Sequence, residues 1–179
     1  MKKTIVLCQI FFLAMLHMQA QQTRTEGKII KNFGSTYPVE NPEIKTVITS
    51  EFKVMLDVSK SSEDKSVVNK YIVTAARFLN MHADAGMKKQ QLKVAITIHG
   101  AAWQDVLNEK DYKKKFGVSN PNLPLIKELS KAGVDIIICG QTANFRGMNR
   151  ETVISEVKFA LSAMTAILQY QHNGYLLVN

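Results

Sequence analysis

A chain of 179 residues, 46% apolar and 21% charged, holds enough apolar material for one core and too little length for a second full domain. Its 23 Lys and Arg against 15 Asp and Glu leave a formal charge of +8. Much of that excess falls in Lys110, Lys113, Lys114 and Lys115, a run that marks a solvated helix face rather than a nucleic-acid site.

Lys2 and Lys3 precede an apolar run of 12 positions, Ile5 to Leu16, and Ala20 stands before a polar Gln-Gln. That order is the pattern of a secretory signal peptide, and the run is short of the roughly 20 residues that a spanning helix needs. Residues 1–20 are therefore expected to be removed, giving an exported chain, periplasmic or secreted, without stable membrane insertion. Cleavage would leave 21 basic residues against 15 acidic ones and a single thiol, Cys139. A lone thiol in a disulfide-permissive compartment is buried and inert, paired with another chain, or reactive by design.

From residue 21 to 50 there is no sustained period, and Gly27, Gly34, Pro38 and Pro42 punctuate the segment. It reads as an extended arm whose apolar pieces, Ile29-Ile30 and Val47-Ile48, lie against the domain or a neighbouring subunit. The ordered domain is expected over 51–179. Phe52 to Val58 reads as a first strand. Ser61 and Asp64 give a helix-start signature, followed by Val68, Tyr71, Ile72, Ala75, Leu79 and His82 at helical spacing, with Gly86 as the stop. Leu92 to Ile98 is a second strand, ending in His99-Gly100.

Trp103, Val106, Leu107 and Phe116 suggest a second helix ending at Gly117. A turn over Ser119-Asn120-Pro121-Asn122 follows, with Asn122 as cap of a third helix that carries Leu125, Ile126 and Leu129. Val134 to Ile138 is β-branched and short, a central strand covered on both faces, and it delivers Cys139-Gly140 to its carboxyl end. A loop over 141–148 then leads to a long helix from about Asn149 to His172, and a short strand closes the chain near Leu176. The piece from Val157 to Leu168 is apolar or small nearly all round, which calls for cover on both sides, one by its own sheet and the other by a second subunit or, alternatively, by the N-terminal arm.

Strands alternating with helices predict an α/β, flavodoxin-like three-layer sandwich with a mainly parallel sheet of four or five strands. His99 and Cys139 then leave the same edge, where ligands bind in such sheets. If their strands are neighbours, imidazolium and thiol meet and the sulfur becomes nucleophilic. The alternative is a space-filling cysteine beside a histidine bonded to backbone. Gly100 and Gly140 let amide donors approach an anion. No Gly-x-Gly-x-x-Gly, Gly-Lys-Ser/Thr or Gly-x-Ser-x-Gly occurs, so no nucleotide, cofactor or serine-hydrolase site is indicated. His82, His99, His172 and Cys139 sit on separate segments with no local metal-ligand pair, so no metal is expected.

In order, His99-Gly100-Ala101-Ala102, Tyr112, Asn120-Pro121-Asn122, Leu125-Ile126, Gly133-Val134 and Cys139-Gly140-Gln141 resemble the DsrE/DsrF-like proteins. Ser162 to Ala166, Gln171, Gly174-Tyr175 and, earlier, Asn69, Arg77 and Asn80 continue the likeness over about Phe52 to Val178. The resemblance implies a flavodoxin-like subunit that assembles into homotrimers or homohexamers. It further implies a cysteine at the position of Cys139 that carries sulfur as a persulfide between donor and acceptor proteins. His99 would tune that thiol, and Gly100, Gly140, Gln141, Asn120 and Asn122 would line the ligand site. The competing expectation is a non-enzymatic oligomeric module binding a small ligand or protein at this edge, with Cys139 buried and structural.

Overall fold

The computed structural model describes residues 23–178; the expected signal peptide and Cys8 lie outside them. Five strands, β1 (Phe52–Val58), β2 (Leu92–Ile98), β3 (Asp135–Cys139), β4 (Lys158–Ala160) and β5 (Leu176–Leu177), form one sheet in the order β4-β3-β2-β1-β5. Every pairing is parallel. The helices are α1 (Lys70–Asp84), α2 (Glu109–Phe116), α3 (Asn122–Lys131), α4 (Gly140–Phe145) and α5 (Ala163–His172). This is an α/β flavodoxin-like sandwich.

Chirality explains which helix covers which face. The chain steps the same way across the sheet from β1 to β2, β3 and β4, so right-handed crossovers put α1, α2, α3 and the segment after α4 on one face. Their side chains, among them Ile72, Leu79, Leu125, Ile126, Leu129 and Val157, pack there on Leu56, Ile96, Ile98, Ile136 and Ile138. From β4 the chain returns past β1 to reach β5, and the same rule places α5 on the opposite face. There Ala166 and the partly buried Ile167 and Tyr170 meet Met55, Ala95 and Ile137. Among the described residues one face is thus covered by several elements and the other by α5 alone.

Five expectations are corrected. The long helix from Asn149 to His172 does not form: 149–157 is a series of turns, Lys158–Ala160 is strand β4 and α5 begins only at Ala163. Ser162 interrupts the run because its hydroxyl accepts the Thr165 N–H at 3.0 Å and caps the helix. The apolar stretch from Val157 to Leu168 is therefore part strand, part helix. Helix α1 starts at Asn69, whose side chain accepts the Tyr71 N–H, and not at Ser61, whose hydroxyl is engaged by Asp105.

Trp103 and Val106 belong to a 3-10 helix, Gly100–Val106, separate from α2, where Asn108 caps through the Asp111 N–H. The segment read as a loop after Cys139 opens with α4. Asn122 is the first residue of α3 and not its cap; the Asn120 side chain accepts the Asn122 N–H at 2.9 Å.

The arm lies against α1. Asn80 Oδ1 accepts the N–H groups of Ile29 and Ile30 at 3.0 and 2.9 Å, and Nδ2 donates to the carbonyls of Ile30, Phe33 and Gly34 at 3.0, 3.0 and 3.1 Å. Ile30 is buried in the main core, whereas Val47 and Ile48 stay exposed. Gly34 must be glycine here: its φ is +68°, and a Cβ would meet the Arg77 N at 2.4 Å.

Candidate functional site

Pairing of β2 with β3 runs to Ile98 opposite Ile138, so His99 and Cys139 leave neighbouring strands on the next rung. Alternation along β3 puts Cys139 on the face of Ile137, the face that α5 covers. The residue is buried, 6% exposed, and it stands immediately before the first residue of α4.

Polar groups of two helices, α4 and α5, lower the pKa of the thiol. They are the backbone N–H and hydroxyl of Thr142, the N–H of Ala163 at the start of α5, and the N–H of Gln141. Burial is the largest single influence and pushes the thiol up, but these polar groups together outweigh it and hold Cys139 below its ordinary value. A thiolate, or an anion of similar charge in its place, is the species such a cradle favours.

Gly140 makes the cradle possible. A Cβ there would stand 2.4 Å from the Ala160 carbonyl oxygen and 3.1 Å from that of Leu161, so the closeness of the β3 and β4 ends depends on its absence. That closeness brings Ser162 and Ala163 to the cysteine. Gln141 is exposed, and its amide donates to the Leu161 carbonyl at 3.3 Å, a further tie between the two strand ends. Gly100 has φ +53°, and a Cβ would meet the Ser59 carbonyl oxygen at 2.9 Å.

His99 is held the other way. Its Nε2 pairs with the Asp57 carboxylate at 3.0 Å to one oxygen and 3.2 Å to the other, and Thr97 donates its hydroxyl to the same carboxylate at 2.8 Å. Asp57, Thr97 and His99 form a partly exposed chain from β1 to β2 that ends one strand away from the thiol. The groups acting on the sulfur are amides and a hydroxyl, without the imidazole. Among the described residues no group of His, Cys, Asp or Glu is placed to hold a metal.

Asn120 and Asn122 are buried within the protein. Asn120 Nδ2 donates to the carbonyls of Asp105 and Leu107 at 3.1 and 2.7 Å, and Asn122 Oδ1 accepts the Asn69 N–H at 2.7 Å. Asp105, 1% exposed, accepts from Ser61 at 2.8 Å and from Asn69 at 2.7 Å. Burial lifts its carboxyl above the ordinary value, against the hydrogen bonds of Asn69 and Ser61 and the charge of Lys65. This network ties the starts of α1 and α3 to the 3-10 helix after β2 and leaves both asparagine amides engaged inside the protein. Sequence reasoning missed Thr142 and the Ala163 amide at the sulfur, and Asp57 at His99.

The DsrE/DsrF-like family model matches residues 53–179. Among curated proteins no relative matches the chain. A solved structure, a protein of unknown function from Methanobacterium thermoautotrophicum (MTH1491), superposes with a TM-score of 0.54 at 14% identity. The match covers 72% of this chain and 98% of that one, a likeness of fold. With the family model spanning the sheet, all five helices and the cysteine edge, the chain belongs to the DsrE/DsrF-like family.

Proposed function

We propose that the protein is an exported sulfur-relay protein that carries sulfane sulfur as a persulfide on Cys139. The observation that carries this reading is the place of Cys139 at the carboxyl end of β3, directly before the first residue of α4, in a chain of the DsrE/DsrF-like family; the Thr142, Gln141 and Ala163 groups lower its pKa in spite of burial. The thiolate attacks the terminal sulfur of a donor persulfide. The new Cys139 S–S bond forms as the donor's S–S bond breaks, and the donor leaves as a thiolate that takes up a proton. Oxidation state is conserved and no co-reactant is needed. The product perthiolate is again an anion within reach of the same donors, so the cradle serves the loaded and unloaded forms. Transfer to an acceptor thiol reverses the step.

Export rests on the basic start and short apolar run before Ala20, and N-terminal sequencing of protein recovered outside the cytoplasm tests it. In the reading proposed here the unit is a homotrimer or homohexamer, supported by the apolar residues that α5 leaves exposed, Met164 and Leu168. The burial of Cys139 favours a second reading, a non-enzymatic binding module with a structural cysteine. Mass spectrometry after incubation with a cysteine persulfide separates the two. Added sulfur on Cys139, lost in a folded Cys139→Ser variant, supports the carrier; an unmodified Cys139 leaves the binding module.

A further inference from the structure

The six residues of α4 lead from the thiol to an exposed aromatic and a cation, covering about 9 Å at the rise of an α-helix. Phe145 ends the helix 81% exposed. The Arg146 guanidinium lies 5.0 Å from the Phe145 ring centroid and 5.5 Å from that of Trp103, which belongs to the 3-10 helix against which α4 packs. Lys115 Nζ stands 5.3 Å from the same ring and 5.6 Å from Phe116. Two cations thus lie over the Trp103 ring, and the exposed lysines of the last turn of α2 extend the patch.

Neither Arg146 nor Lys115 belongs to an ion pair among the described residues. The Glu109 carboxylate on α2 is engaged with the Asn120 N–H. The cations are held over ring faces, which fixes their positions without using their charge on a carboxylate. Aromatic residues beside arginine, prearranged and exposed, are the composition of an interface centre. A second copy of a chain with net charge +8 brings like charge to this surface, so its complement is an acidic partner.

We propose that Phe145, Arg146, Trp103 and Lys115 form the docking surface for an acidic segment of the protein that exchanges sulfur with Cys139. The inference rests on the sulfur-carrier reading for the purpose of docking, but not for the docking itself. The site lies one short helix from the thiol. A bound segment therefore brings its own sulfur to the cysteine edge while its carboxylates meet Arg146 and Lys115.

Trp103 is the only tryptophan, so its emission reports binding at the patch directly. The probe is a short synthetic peptide rich in Asp and Glu with one leucine, compared with its Asn and Gln counterpart. A saturable change in emission is expected with the acidic peptide. The affinity should be weakened about tenfold by Arg146→Glu or by Lys115→Glu, and also by raised salt. The charge-neutral Arg146→Gln should give an intermediate loss with the far-ultraviolet spectrum unchanged. In a second measurement the same peptide carries a terminal cysteine activated as a thionitrobenzoate disulfide. Cys139 should exchange with it about tenfold faster than with the neutral peptide, whereas a small neutral disulfide reacts equally with the parent and variant proteins. Equal binding of acidic and neutral peptides, unaltered binding by the variants, or preference for an oligonucleotide of equal charge overturns the docking surface. Charge-dependent binding with a Cys139 inert to every disulfide keeps the surface and overturns the sulfur-carrier reading.

Discussion

A methyl group on Gly140 would stand 2.4 Å from the carbonyl oxygen of Ala160. Backbone on both sides leaves little room to yield, so Gly140→Ala should push β4 away from β3 and carry Ser162 and Ala163 with it. Two effects follow together. Stability falls by about 1–3 kcal/mol from overpacking, and the thiol loses the Ala163 N–H, so its pKa rises. Denaturant titration and pH-dependent alkylation of the folded variant read the two separately. A variant with lowered stability and an unchanged thiol pKa would show that the α5 amide does not matter to the sulfur.

Asn80 makes the contacts of a backbone segment with one side chain, five hydrogen bonds to the arm between Ile29 and Gly34. Asn80→Ala leaves buried amides and carbonyls without partners, at about 1–3 kcal/mol for each group that water cannot reach. The arm should then leave α1. Limited proteolysis is expected to cut within residues 23–50 of the variant under conditions that spare the parent protein, with Ile30 exposed. Equal protection in both proteins would mean that other contacts hold the arm.

These two sites show what was legible in the sequence. Strands β1, β2 and β3 announce themselves as β-branched runs, and with them the edge that bears His99 and Cys139. Strand β4 does not, because Lys158-Phe159-Ala160 is too short to show a period and its neighbours Leu161 and Met164 read as helix. The donors at the sulfur were hidden for the same reason. The Ala163 amide reaches Cys139 only through the pairing of β4 with β3. His99 was placed at the right edge, yet its partner depends on strand order: with β1 beside β2, Asp57 is available and takes the ring. Asn120 and Asn122 carried no sign of burial, because polar turn residues look alike whether they face solvent or a buried carboxylate.

Asp105 holds its carboxylate beside the Asn122 amide and its backbone carbonyl on Asn120, and burial holds its pKa above the ordinary value. An acid whose pKa is raised on folding binds its proton more firmly in the folded state. Its contribution is fully present below the unfolded pKa, about 3.9, and is lost as pH rises through the folded value. Asp105→Asn abolishes that titration. Relative to the variant, the parent protein should therefore lose unfolding free energy with rising pH through the carboxylate range and level off above it. Parallel stability curves for the two proteins would mean that Asp105 does not titrate differently on folding.

Helix α5 alone covers its face of a five-stranded sheet, and it leaves Met164 74% and Leu168 68% exposed. Leu161 before it, and Leu177 on β5, which pairs with Met55 of that face, are exposed as well. A patch of this kind marks an interface, and burying one such side chain contributes about 1.5–3 kcal/mol. Ala163, buried within its own subunit, is no position to test this surface. Met164→Glu with Leu168→Glu places two like charges in the proposed interface without touching the core. Sedimentation should give an oligomer for the parent chain and a monomer for the double variant. The circular dichroism of the two should match, and each should keep one reactive Cys139 per chain. A parent chain that sediments as a monomer at micromolar concentration would refute the interface.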